Sequence, residues 1–253
     1  MKIIGVDADG CFAEYVKIPE PNIWKIDPRV PVEYASLLDP LGNALHTLLA
    51  GEIAAQTVAV LGCGPIGLLA VAVARACGAA RIFACEVKRQ RLDLALRMGA
   101  DLALNSREVD PVARVLEATG GLGVDVVLEM SGHPDAIHQG FRLLRRGGRI
   151  SLLGIPSRPV ELDLPNDIIF KGATVQGISG RRMFQTWYQM QGLLLSGRLD
   201  LAPAITDRLP LADYRRGFEL LMAGDASKII LYPEGGPARE AHRPSSIRQS
   251  SIP

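Results

Sequence analysis

Aromatic residues are scarce in this sequence, at 5% of its 253 residues. A surface that stacks nucleic-acid bases needs such rings, so their scarcity argues against one. A surplus of either charge is also lacking. Lys and Arg number 28 against 27 for Asp and Glu, a formal net charge of +1. No global field draws in nucleic acid or an anionic membrane. Cysteine is sparse, at positions 11, 63, 77 and 85, with no CxxC pair and no histidine at a ligand spacing from any of them. That excludes a zinc ribbon or knuckle. Cys63, Cys77 and Cys85 stand in apolar strand or helix contexts. They read as reduced core residues of a cytoplasmic protein. Long apolar runs are missing too. The stretch 66–74 is far too short to span a bilayer, and "MKIIGVDADG" holds no signal-peptide core.

What is present is a regular alternation. Apolar strands are expected at 57–62, 81–86, 101–105, 124–132, 148–155 and 173–179. Helices are expected between them at 65–77, 89–98, 111–118 and 136–144, with a short one at 166–170. Strands apolar on both faces, separated by helices, predict a parallel sheet covered on both sides. The fold class is α/β, a doubly wound six-stranded Rossmann sheet. Before it, "CFAEYVKIP" alternates as a strand does, and helical spacing through Tyr34, Leu37, Leu38 and Leu41 is interrupted at Pro40. After it, 182–196 reads as a long helix whose Trp187, Met190 and Leu194 stripe packs into the core. The segment 204–232 reads as strand, helix, strand. The tail 233–253 is rich in Pro, Gly, Ser and Arg without periodicity, a composition expected to be disordered.

The stretch "TVAVLGCGPIGLLAVAVARACGAARIFACE" carries the chemistry. Gly62, Gly64 and Gly67 follow a strand and open a helix, the context that a dinucleotide turn requires. Gly62 permits the tight turn, Gly64 lets a pyrophosphate approach the backbone, and Gly67 lets helix and strand pack closely. The free N–H groups of the helix then face the phosphates. Pro65 in the first turn forfeits no hydrogen bond. Glu86 closes the second strand, at the distance where a carboxylate meets ribose hydroxyls and repels a 2′-phosphate. That favours NAD over NADP. Lys88, Arg89 and Arg91 beside it are basic and tolerate phosphate, which weakens the preference. The turn also suits FAD or an S-adenosyl group, or survives as a relic in a fold that binds none of these.

The segments "GVDADGCFAEYV", "LLDPLGNALHTLL", "VLGCGPIGLLAVAVAR", "VLEMSG", "GGRISLLGIP", "IIFKGATVQGISGRRMFQTWY" and "SGRLDLAPAIT" together resemble the zinc-dependent medium-chain dehydrogenases. The likeness runs from about residue 5 to residue 232. "GISGRRMFQTWY" is most similar to the branch that acts on L-threonine. The resemblance implies hydride transfer from a secondary alcohol, the Cβ hydroxyl of an L-threonine-like substrate, to NAD. It also implies a homo-oligomer built through the edge strand "ATVQGIS". By position, Ile66, Glu86 and Arg91 resemble cofactor contacts, with Glu86 and Arg91 on the adenosine ribose. Leu153, Gly154, Ile155, Ile178 and Ser179 resemble the lining of the nicotinamide site; ordinary strand-end packing would look the same for the apolar ones. Asp39 resembles the acid placed at or near the catalytic zinc, and a turn or helix-cap residue before Pro40 is its plainer reading. His46 reads as a structural residue on a helix face.

The same resemblance divides the chain. Residues 1–45 resemble the end of a GroES-like β catalytic domain, 46–180 the NAD-binding Rossmann domain, and 181–232 a C-terminal helix and the return to the catalytic domain. The family's remaining zinc ligands, a cysteine and a His–Glu pair, and its four-cysteine structural lobe have no counterpart in the sequence. One carboxylate cannot replace three or four ligands. The expectation is therefore an NAD-dependent oxidoreductase that is inactive alone, or an NAD-binding or interaction module without catalysis. A sorbitol or alcohol dehydrogenase fragment is a further alternative. A gene fragment, a mis-called start and a degenerate paralogue all produce such a chain.

Overall fold

Five-residue runs such as "TVAVL" have no polar face, so they form strands that must be covered on both sides. In the computed structural model, which describes residues 3–233, they assemble one sheet. Two α-helices come first, α1 (Val32–Ala35) and α2 (Leu38–Leu48). The alternation then runs β1 (Thr57–Leu61), α3 (Pro65–Ala76), β2 (Arg81–Glu86), α4 (Arg89–Arg97), β3 (Leu102–Asn105), α5 (Pro111–Ala118), β4 (Val124–Glu129), α6 (Pro134–Leu143), β5 (Leu144–Leu152) and β6 (Thr174–Gly177). A turn of π-helix, Leu164–Ile169, precedes β6. The strand order is β3-β2-β1-β4-β5-β6, and every neighbouring pair is parallel.

Alternate residues of each strand serve opposite faces. Val58 and Val60 of β1 join a core with α2, α3 and α4 residues such as Leu45, Leu69 and Leu94. Ala59 and Leu61 join a second core with Val115 of α5 and Phe141 of α6. After the sheet come α7 (Gln185–Leu195), β7 (Ile205–Pro210), α8 (Tyr214–Ala223) and β8 (Lys228–Tyr232). Strands β7 and β8 pair in parallel as a separate two-stranded sheet. Met190 of α7 is fully buried, and Trp187 and Leu194 pack against the first core. The stripe is core, as its spacing implies.

Two expectations are corrected. Residues 11–19 form no strand; they are irregular, with Phe12, Tyr15 and Val16 exposed. Alternation alone makes no strand without a partner edge, and among the described residues none lies beside this segment. Helix α2 is not interrupted at Pro40. Pro40 sits in its first turn, where the missing N–H has no intrahelical acceptor in any case. Of the tail assigned to 233–253, all but Pro233 lies outside the described residues.

Candidate functional site

Strand β1 has β2 on one side and β4 on the other, so the winding reverses between β1 and β4. In open α/β sheets ligands enter the crevice at the carboxyl ends of strands at such a reversal. The glycine turn lies there. Gly62 adopts φ +89° and donates its amide to the Cys85 carbonyl at 2.8 Å. A Cβ on Gly67 would stand 2.0 Å from the Gly62 carbonyl oxygen. Gly64 caps α3, and a Cβ there would meet no protein atom within 4 Å. Two glycines are thus demanded by the protein, and the third leaves open space before the helix N-terminus. Ile66 in the first turn of α3 is half-buried against the core.

Glu86 ends β2 and is only 7% exposed. Its Oε2 accepts from the Cys63 amide inside the glycine turn at 3.0 Å. Its Oε1 accepts from Val87 at 2.7 Å and Lys88 at 3.1 Å. Arg91 on α4 places a guanidinium nitrogen 3.6 Å from Oε2. The acid therefore shapes the turn. A carboxylate has about four acceptor sites, so three amides leave room for a hydroxyl donor. Burial pushes the thiol of Cys63 well above its ordinary pKa, with the Glu86 charge adding to the effect. Cys85 is pushed up to about 12 by burial. Neither is a nucleophile; both are packing residues, as their contexts implied.

At the far side of the reversal, the Leu153 and Gly154 amides both donate to the Glu129 carbonyl, at 3.0 and 3.1 Å. Gly154 has no room for a side chain, since its Cβ would lie 2.1 Å from the Gly132 amide nitrogen. Ile155 is 91% exposed. Ile178 is buried and donates its amide to the Leu152 carbonyl at 2.9 Å, while Ser179 is exposed. A cavity of about 490 Å³ opens here, lined by Ser131, Gly132, His133, Ile155 and Arg158 among others. Sequence reasoning missed Glu129, Ser131 and Gly132 as site residues. The one trace in the sequence is that "VDVVLE" ends in an acid as "RIFACE" does, which by itself marks no site.

Asp39 has a different partner. It lies in the first turn of α2 and forms an ion pair with Arg181, which follows β6. The Arg181 guanidinium also lies over the Trp187 ring at 5.1 Å. His46, on the same helix, donates from Nδ1 to the Gly180 carbonyl at 2.9 Å. Asp39 and His46 thus dock the segment after β6 onto α2. Among the described residues, no group of three or more His, Cys, Asp and Glu side chains could hold a metal ion. The residues present do not fit a catalytic zinc. Among them too, no helix is long and apolar enough to cross a membrane.

The fold has counterparts in known proteins. The family model described as "Zinc-binding dehydrogenase" matches residues 65–196. The chain belongs to the zinc-binding dehydrogenases. The L-threonine 3-dehydrogenase of Bacillus licheniformis is 52% identical over 231 residues, which cover 91% of this chain and 67% of that protein. The crystal structure of 2R,3R-butanediol dehydrogenase from Bacillus subtilis superposes with a TM-score of 0.84 at 31% identity, over 91% of this chain and 66% of that one. A protein of Sinorhizobium meliloti described as a zinc-binding dehydrogenase, solved bound to NADP, gives 0.82 at 28% identity, over 91% of this chain and 68% of that one. The chain thus spans about two thirds of the relatives it matches.

Proposed function

We propose that this chain binds NAD as the cofactor part of an NAD-dependent oxidation of a secondary alcohol of the L-threonine type, without turnover on its own. The observation that carries the proposal is the 62–67 turn at the sheet's reversal, with Glu86 hydrogen-bonded into it through Cys63. The amides of the turn and the N-terminus of α3 suit a diphosphate. Glu86 and Arg91 suit the adenosine ribose. Gly154, Ile155 and Ile178 line the other end. When bound, the nicotinamide would supply the hydride acceptor. The threonine enzymes among the similar proteins support the substrate class. The exposed edge of β6 suits a second copy of the chain, hence a homo-oligomer. Cysteines without disulfides suit a cytoplasmic setting. Residues 1–45 and 181–232 are proposed to serve the substrate side and 46–180 the cofactor.

No step is assigned to zinc. The ion pair of Asp39 with Arg181, together with the lack of a ligand set among the described residues, favours a second reading, cofactor binding without turnover. Calorimetric titration with NADH and NADPH tests what both readings share. NADH should bind more tightly than NADPH, and Glu86→Ala should weaken NADH about tenfold or more and NADPH far less, since NADPH loses only the support of the turn. Equal losses would remove the basis for choosing NAD. Failure of both cofactors to bind would contradict both readings. L-Threonine, NAD and added zinc should give no measurable turnover by this chain, and a clear rate would also contradict both.

A further inference from the structure

Strand β4, like β2, ends in an acid. Glu129 is fully buried at the carboxyl end of that strand, paired with Leu61 on one side and Leu152 on the other. A carboxylate withdrawn from water persists only where donors replace the water. Here they come from one short segment. The Ser131 amide donates to Oε1 at 2.9 Å and the Ser131 hydroxyl at 2.5 Å. The Gly132 amide is shared between Oε1 at 3.0 Å and Oε2 at 3.1 Å. The acid thereby folds 131–132 back over the end of its own strand.

That segment is wedged between the two halves of the crevice. A Cβ on Gly62 would come within 2.7 Å of the Ser131 Cβ. A Cβ on Gly132, which has φ +68°, would come within 2.5 Å of the Ile155 carbonyl oxygen. One on Gly154 would meet Glu129 Oε2 at 2.5 Å. The Ser131 hydroxyl oxygen in turn accepts from the His133 amide at 3.0 Å, which carries the restraint to the start of α6. The cavity wall formed by Ser131, Gly132, His133 and Ile155 therefore hangs on one carboxylate.

We infer that Glu129 is a positioning residue for the nicotinamide half of the cofactor, acting through Ser131 and Gly132. This rests on the proposed dinucleotide site. With the adenosine ribose at Glu86 and the diphosphate on the 62–67 turn, the remaining half runs over the ends of β4 and β5. The wall fixed by Glu129 is what it meets there. Glu129 touches no reacting atom itself.

The test compares two probes on the whole chain. NADH carries both halves, whereas ADP carries the adenosine half and a diphosphate without nicotinamide. Glu129→Gln keeps the size but turns one acceptor oxygen into a donor that faces amide donors. It should weaken NADH about tenfold while changing ADP less than about twofold. It should also reduce the fluorescence change of bound NADH at saturation, which reports the surroundings of the nicotinamide. Ser131→Ala leaves the carboxylate with its backbone donors and should show the same split at about threefold. If Glu129→Gln does not fold, Ser131→Ala decides. Equal loss of ADP and NADH, or no loss of either, would overturn the inference while the dinucleotide site stands. A wild-type chain that binds neither probe would overturn the site, and the inference with it.

Discussion

At the residue scale, the glycines of the turn separate protein demand from ligand demand. Gly67 faces the Gly62 carbonyl so closely that any side chain must displace backbone. Gly67→Ala should destabilise the fold by about 1–3 kcal/mol, the range for overpacking, and weaken NADH as well. Gly64 has ordinary negative φ and open space. Gly64→Ala should leave thermal stability within about 0.5 kcal/mol, as surface substitutions do, yet lower NADH affinity at least about tenfold by occupying the diphosphate's place. Melting curves and calorimetry on the two variants check this. Unchanged binding by the Gly64 variant would contradict the placement of the diphosphate. These residues were legible in the sequence because their spacing follows from the reach of a turn and a helix start. Glu129 was not, although it too ends an apolar strand. Its role comes from total burial and from Ser131 and Gly132 folding back, and neither shows in a one-dimensional pattern.

At the element scale, cations hold two helix ends. Arg149 on β5 is buried and, among the described residues, has no carboxylate partner. It donates to the Leu48 carbonyl at 2.9 Å and the Thr47 carbonyl at 3.4 Å, and also hydrogen-bonds the Ser151 hydroxyl. The carbonyl ends of α2 supply the negative pole that a buried guanidinium needs. Burial still pulls its pKa down. Lys171 does the same for the end of α6, donating to the carbonyls of Phe141 and Leu144. Arg149→Ala should cost about 2 kcal/mol by orphaning the carbonyls and leaving a gap, measured as a lower urea midpoint at unchanged slope. A loss below about 0.5 kcal/mol would mean that α2 is docked by its leucines alone. The sequence announced most strands and helices because both faces of each strand are apolar and proline opens several helices. It misled at residues 11–19, where alternation exists but pairing does not, and at Pro40, where a helix breaker falls in the one turn that tolerates it.

At the scale of the whole molecule, the parallel order β3-β2-β1-β4-β5-β6 brings Gly62, Glu86, Glu129 and Gly154 to one end of the sheet from four separate strand termini. The sheet order was readable, since alternating apolar strands and helices admit few windings. The pairing of Asp39 with Arg181 was not, because it joins an early helix to a segment beyond the last sheet strand. Kinship with the threonine enzymes accounts for 91% of this chain, and their full length exceeds it. A crystal structure of the chain grown with saturating NADH is the most direct measurement. The diphosphate should lie on the amides of 62–67, a ribose hydroxyl on Glu86, and the nicotinamide half against Ser131, Gly132 and Ile155. A crevice closed by side chains, or one without bound dinucleotide under those conditions, would contradict the assignment.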